Sequence, residues 1–123
     1  MRKHHIYTEE RGDLLPIEMD TIPFEVKRTF MVYNVPKDVS RGFHAHHQCQ
    51  QYLLCVEGEI EVTLIPKQGD KEVIILKKGE ACLVDKYVWD SQKFLTGNDI
   101  LLVFCSINFD RDDYITDFEK FRP

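Results

Sequence analysis

The feature that most constrains the fold is a stretch in which polar and apolar residues alternate without a break, Glu59–Ile65 (EIEVTLI). Strand side chains point to opposite faces in turn, so Ile60, Val62 and Leu64 share an inward face and Glu59, Glu61 and Thr63 look outward. Gly58 precedes the stretch and Pro66-Lys67-Gln68-Gly69-Asp70 follows it, which reads as a hairpin loop. Glu72–Leu76 is then the return strand, and Lys78-Gly79 turns the chain again. Comparable short runs lie on either side: Phe24–Tyr33, Tyr52–Val56, Ala81–Val84 and Ile100–Ile107. Within the first of them Val26, Arg28, Phe30 and Val32 share one face. Only about Asp112–Phe121 has helical spacing, with Tyr114, Ile115, Phe118 and Phe121 on one apolar side. Many short strands with little helix indicate a sandwich or barrel. A long sheet in a small domain has to hide its edges, and a double-sheet jelly roll does so. The expectation is an all-β jelly roll with a short C-terminal helix.

The 123 residues fit one domain, residues 1–123, large enough to bury a core without staples. The net charge of −5 argues against a nucleic-acid partner, although a few arginines in a cleft can still hold an anion. Cys49, Cys55, Cys82 and Cys105 show no C-x-x-C spacing, and the last three sit in apolar runs, as buried reduced thiols do. The polar N-terminus lacks the apolar core of a signal peptide, and no apolar run approaches the ~20 residues of a membrane helix. A cytoplasmic protein with no membrane partner is expected.

One segment carries chemistry: Arg41-Gly42-Phe43-His44-Ala45-His46, with Gln51 and Gly58 beyond it. On a strand His44 and His46 point to the same side, so two imidazoles project together into whatever that face encloses. A lone inward histidine is usually a hydrogen-bonded core residue; two at i and i+2 ask for more. The spacing H-x-H, four residues, Gln51, six residues, Gly58 is similar to the first motif of the cupins, which usually carry Glu where Gln51 stands. Gly79, Asp85, Tyr87 and Asp90 repeat the spacing of the second cupin motif, in which Pro, Gly and His would occupy positions 85, 87 and 90. The resemblance makes the jelly roll a cupin, or double-stranded β-helix. A metal cupin supplies three histidines and a carboxylate. Here Gln51 is a weak ligand and Asp90 replaces a histidine, so two readings stand: a two-histidine, one-carboxylate iron site, or metal-free imidazoles that carry protons. The second is preferred, because a bound metal occupies the lone pair a base needs. His47 is read as a surface residue, and His4 and His5 as part of a solvated N-terminal arm.

More widely the chain resembles the dTDP-4-oxo-6-deoxyglucose 3,4-ketoisomerases. The matching residues are Arg11-Gly12, Leu14, Glu18, Ile22-Pro23-Phe24, Lys27-Arg28, RGFHAH at 41–46, Gln51, Trp89 and Asp113-Tyr114-Ile115. The resemblance implies a ketone moved from C4 to C3 of a nucleotide-linked hexose through an enediol, feeding the synthesis of 3-amino-3,6-dideoxy sugars. His44 and His46 would carry the protons, with no cofactor and no metal. Arg11, Arg28 and Arg41 would hold the diphosphate, or else make surface ion pairs. Phe30, Gln51 and Asp90 would line the substrate site, with Asp90 tuning an imidazole. Trp89 would stack on the base or sugar, or fill the barrel mouth. Relatives often have Tyr at position 30; with Phe30 here Tyr33 and Tyr52 are candidate substitutes, but strand parity puts Tyr33 on the face opposite Phe30. The resemblance also implies a homodimer that exchanges an N-terminal arm of about residues 1–20. Rival readings are a 3,5-epimerase, a metal-dependent dioxygenase and a non-catalytic sugar-binding module.

Overall fold

Why the apolar runs differ in pattern becomes clear once they are assembled. The computed structural model describes residues 1–123. Its strands are β1 Arg2–Lys3, β2 Tyr7–Glu9, β3 Gly12–Leu14, β4 Arg28–Tyr33, β5 Val39–His46, β6 Gln51–Glu57, β7 Glu59–Pro66, β8 Glu72–Lys77, β9 Glu80–Val84, β10 Val88–Phe94, β11 Ile100–Cys105 and β12 Tyr114–Ile115. Two five-stranded antiparallel sheets form, in the orders β1-β9-β6-β11-β4 and β12-β5-β10-β7-β8. They face each other across one core built from inward residues of both, among them Leu53, Cys55, Val103, Val62, Ile60, Leu76 and Phe94. This is the cupin jelly roll.

Ile60, Val62 and Leu64 are buried, as their alternation requires. The unbroken run Tyr52–Val56 has a different cause: β6 is covered on both sides. Leu53 and Cys55 enter the central core, while Tyr52 and Leu54 pack outward under Ile22, Phe104 and the flanking Leu15, Ile17, Phe24 and Val26. All four cysteines are buried and unpaired with one another as disulfides. No helix is long and apolar enough to cross a membrane.

Three local expectations are corrected. Regular pairing begins at Arg28 rather than Phe24, because Phe24 and Val26 are used to cover the outer face of the sheet. The helix expected over Asp112–Phe121 shrinks to α1, Phe118–Phe121, capped by Asp117, whose side chain accepts from the Glu119 and Lys120 amides. Tyr114 and Ile115 instead pair with His46 and Ala45, since ladder bonds and burial outweigh a local helical spacing. His4 is not solvated: it is buried, and its Nε2 lies 2.6 Å from the Tyr52 hydroxyl.

The hairpin β2–β3 pairs only with itself and leaves Tyr7 and Leu14 exposed. The largest concavity, about 680 Å³, runs along this hairpin and is lined solely by residues between His5 and Leu14. Its charged groups are taken up in surface ion pairs, Arg11 with Glu9 and Asp13 with Lys78, so this hollow is uncovered surface, not a reaction site.

Candidate active site

The site is built where β5 crosses β10. From Val39 to Arg41 the strand runs in register with Phe94 to Gln92, then Ser91 pairs with Gly42 and Asp90 with His44. Phe43 is the extra residue of this bulge. Gly42 and Phe43 both take positive φ, +96° and +63°. Simple alternation would send Arg41 and His44 to opposite faces; the bulge returns both to the inner face, opposite Gln92 and Asp90. A small cavity of about 80 Å³ results, lined by Phe30, Arg41, His44, Gln51 and Gln92 with apolar β4 and β11 side chains behind. Gly42 has no room for a side chain: a Cβ would stand 3.0 Å from the Asp90 carbonyl and 3.1 Å from Gln92 Nε2. Gly42→Ala is therefore expected to lower stability by about 2 kcal/mol and to disturb the Arg41–His44 alignment, read as a lower Tm together with reduced turnover.

His44 and His46 stand edge to face with ring centroids 5.0 Å apart. Their surroundings differ. His46 is buried, and its Nδ1 lies 3.0 Å from Asp113 Oδ2. The same carboxyl accepts from the amides of Gln48 (2.7 Å) and Cys49 (3.1 Å). An acceptor on Nδ1 puts the ring proton there and leaves Nε2 as a lone pair, and Nε2 has no protein partner. His44 is half-buried, and burial, with the nearby His46 adding, pulls its imidazole down to about 4. It is therefore uncharged at neutral pH and able to accept a proton.

Behind His44 lies Asp90, fully buried, with Oδ1 3.8 Å from His44 Nε2 and Oδ2 accepting from Gln92 Nε2. Gln51 is buried beneath the cavity with its amide directed at the Cys105 sulfur, 3.7 Å away. The Arg28 guanidinium lies over the Phe30 ring at 4.7 Å and over Phe109 at 5.3 Å, which holds a positive charge against the Phe30 wall of the cavity. His46, Cys49 and Asp113 bring a nitrogen, a sulfur and an oxygen within 4.8 Å of one another. The Asp113 oxygens there are already engaged with the ring nitrogen and two amides.

Two expected site residues are not brought to this place. Trp89 faces the other side of β10, packed against Phe118 and Phe121 over Ala45. Because neighbours on a strand point oppositely, an inward Asp90 forces Trp89 outward. Arg11 lies on the β2–β3 hairpin with its side chain exposed and paired to Glu9 at 2.8 Å. The candidate tyrosines are also elsewhere: Tyr33 is exposed, and Tyr52 is bonded to His4 beneath the outer cluster.

Two residues that spacing does not assign to the site are central to it. Asp113 anchors His46, and the Tyr114 ring packs against both imidazoles, with centroids 5.1 Å from His44 and 4.5 Å from His46. The signal for them is the Asp113-Tyr114-Ile115 tripeptide, whose spacing to Phe118 and Phe121 mimics a helix. Tyr87 takes φ +59°, a left-handed turn at the position where cupins carry Gly.

The whole chain, residues 1–123, matches the family model FdtA, described as WxcM-like, C-terminal. A protein from Aneurinibacillus thermoaerophilus, TDP-4-oxo-6-deoxy-alpha-D-glucose-3,4-oxoisomerase, is 29% identical over 115 residues, covering 93% of this chain and 83% of that one. QdtA, a sugar 3,4-ketoisomerase from Thermoanaerobacterium thermosaccharolyticum solved with TDP, shares 30% identity and a TM-score of 0.86 over 97% of this chain and 88% of its own. WlaRA, a TDP-fucose-3,4-ketoisomerase from Campylobacter jejuni, gives 28% identity and a TM-score of 0.84 over 97% and 89%.

Proposed function

This chain belongs to the FdtA (WxcM-like, C-terminal) family, and from that premise we propose that it is a sugar-nucleotide 3,4-ketoisomerase acting on dTDP-4-oxo-6-deoxyglucose. The observation that carries the reading is the pair of facing imidazoles, one with a free Nε2 lone pair and the other uncharged at neutral pH. The conversion needs four proton movements. C3 loses a proton and C4 gains one; the C3 hydroxyl loses its proton and the C4 oxygen takes one. The electron pair of the broken C3–H bond forms the enediol double bond, and that pair later makes the C4–H bond. Oxidation at one carbon balances reduction at the next, so the chemistry needs no redox cofactor. Two adjacent proton carriers suffice, one serving carbon and the other serving oxygen.

The small cavity accepts the reacting edge of the sugar, with the rest of the ligand at its mouth. In this reading Phe30, Gln51 and Arg41 shape the pocket, and Arg28 and Arg41 hold the diphosphate through their guanidinium forks. Asp90 acts on His44 from behind. In this reading Arg11, exposed on the β2–β3 hairpin, acts on the substrate of a second copy of the chain. We therefore read residues 1–123 as one cupin domain that works as a cytoplasmic homodimer, the uncovered β2–β3 hairpin being the surface a second copy would cover. The 3-oxo product is a substrate for amination at C3, as in the synthesis of 3-amino-3,6-dideoxy sugars for glycans.

The test is proton NMR of the protein with dTDP-4-oxo-6-deoxyglucose in heavy water. The expected result is conversion to a 3-oxo-6-deoxyhexose carrying deuterium at C4. Solvent exchange at C5 without ketone migration would assign a 3,5-epimerase instead, and an unchanged bound sugar would assign a binding module.

A further inference from the structure

Asp90 is a buried carboxyl inside the cup with half of its bonding capacity unused. It has no exposed surface, Oδ2 accepts from Gln92, and Oδ1 has no partner. Its place is fixed from both sides, since β10 lies between β5 and β7 and pairs Asp90 with His44 on one flank and Leu64 on the other. An isolated carboxylate in such a position is costly, so the group persists only where something repays it. What faces the unused oxygen is His44 Nε2, 3.8 Å away. That is beyond a hydrogen bond, yet close enough for strong attraction if the ring becomes charged.

We propose that Asp90 is a positioning residue for His44: when His44 takes a proton from the substrate, Asp90 Oδ1 becomes the carboxylate partner of the imidazolium, and the proton returns to the sugar from that pair. The inference rests on the ketoisomerase reading for the identity of the proton donor. Above about pH 7 Asp90 is ionised when the cycle begins, so the proton that the His44 ring takes from the substrate meets a carboxylate, and it returns to the sugar from that pair. The two imidazoles are then asymmetric by construction. His46 is bonded to Asp113 in the resting protein, whereas His44 meets its carboxylate only when charged.

The pH consequence follows from burial. Burial pushes the Asp90 carboxyl up to about 7, against the opposing bond from Gln92. Below that pH it is protonated and the His44 imidazolium has no counter-charge; above it the carboxylate is present. Turnover should therefore fall as pH drops through about 7. The other titratable or charged groups around the pair are His46 with Asp113, Tyr114, Arg41, Arg28 and Cys82. Burial, with Asp90 adding, pushes the Cys82 thiol up to about 12, and burial raises the Tyr114 phenol, so neither loses its proton near neutrality.

Asp90→Asn keeps the size and the bond from Gln92 but removes the charge. At pH 8 its kcat should fall at least about tenfold with KM within about twofold, and the acid limb near pH 7 should vanish. A kcat within about twofold of wild type, with the same limb, overturns the proposal. The second measurement needs no turnover and no variant: the Asp90 carboxyl carbon is titrated by NMR in the free wild-type protein. A midpoint near 7 is expected, and a carboxyl still protonated at about pH 9 overturns the proposal, because no charge is then available to His44. A chain that ignores the sugar nucleotide but shows that raised midpoint removes the ketoisomerase reading and keeps the buried carboxylate. Because this titration uses wild type, it decides the proposal even if Asp90→Asn fails to fold.

Discussion

His46→Asn should lower kcat by about 10²–10⁴-fold while leaving the fold in place. The asparagine amide reproduces the half of the imidazole that matters for structure, because an N–H at the position of Nδ1 can still reach Asp113 Oδ2, now 3.0 Å from the ring. What it lacks is Nε2, the nitrogen that has no protein partner and that faces the substrate in the proposed reaction. The loss should fall on kcat, with KM changed far less, since a proton carrier contributes in the transition state rather than to binding. His44→Asn should fall by a comparable factor, because one proton carrier cannot serve carbon and oxygen at once. Steady-state turnover of dTDP-4-oxo-6-deoxyglucose, alongside circular dichroism and Tm, separates chemistry from folding. Near-wild-type activity in both variants would discard the imidazole pair as the catalytic centre.

Asp99→Ala should destabilise the chain by about 3 kcal/mol without touching the site. Asp99 is buried in the turn between β10 and β11, and its carboxylate accepts from the Glu59 amide (2.8 Å), the Thr96 amide (3.0 Å), the Thr96 hydroxyl (2.7 Å) and the Gly97 amide (3.1 Å). Truncation leaves three backbone N–H groups without their acceptor. Gly58 is tied to the same carboxylate: at φ +83° a Cβ there would sit 2.0 Å from Asp99 Oδ1. For a domain of this size the loss corresponds to a Tm lower by about 10 °C. Burial pushes the Asp99 carboxyl up, but the four donors outweigh it and hold it below the ordinary carboxylate range. The folded group is thus the stronger acid, so its stabilisation is present above about pH 4 and is lost as pH falls through the lowered value. Asp99→Ala should accordingly flatten the acid side of the stability curve, which denaturation at a series of pH values would reveal. A wild-type Tm and an unchanged acid limb would show that the turn does not depend on this carboxylate.

Much of the fold is legible in the order of the residues. The alternation of Glu59–Ile65 marks β7, its flanking turns mark β8, and RGFHAH sets two imidazoles on one face of β5. Each of these depends on spacings of a few residues along one strand, where side-chain direction follows from backbone geometry alone. Spacing misleads where a local pattern competes with distant pairing. Tyr114 and Ile115 have helical spacing with Phe118 and Phe121, yet they form β12 on the edge of β5, and that pairing brings Asp113 to His46. The outward position of Trp89 is legible in principle, since adjacent strand residues cannot both face the cup.

The sequence alone determined that this chain makes short alternating strands and that one of them carries paired imidazoles on a single side. Only the tertiary structure decided how those rings differ. Asp113 lies 67 residues from His46, and the bulge at Gly42 and Phe43 that turns Arg41 inward exists only against β10. The physical reason is one of range: strand periodicity is written in neighbouring residues, whereas tautomer, charge and cavity shape are set by whatever distant groups the ladder brings within a few ångströms.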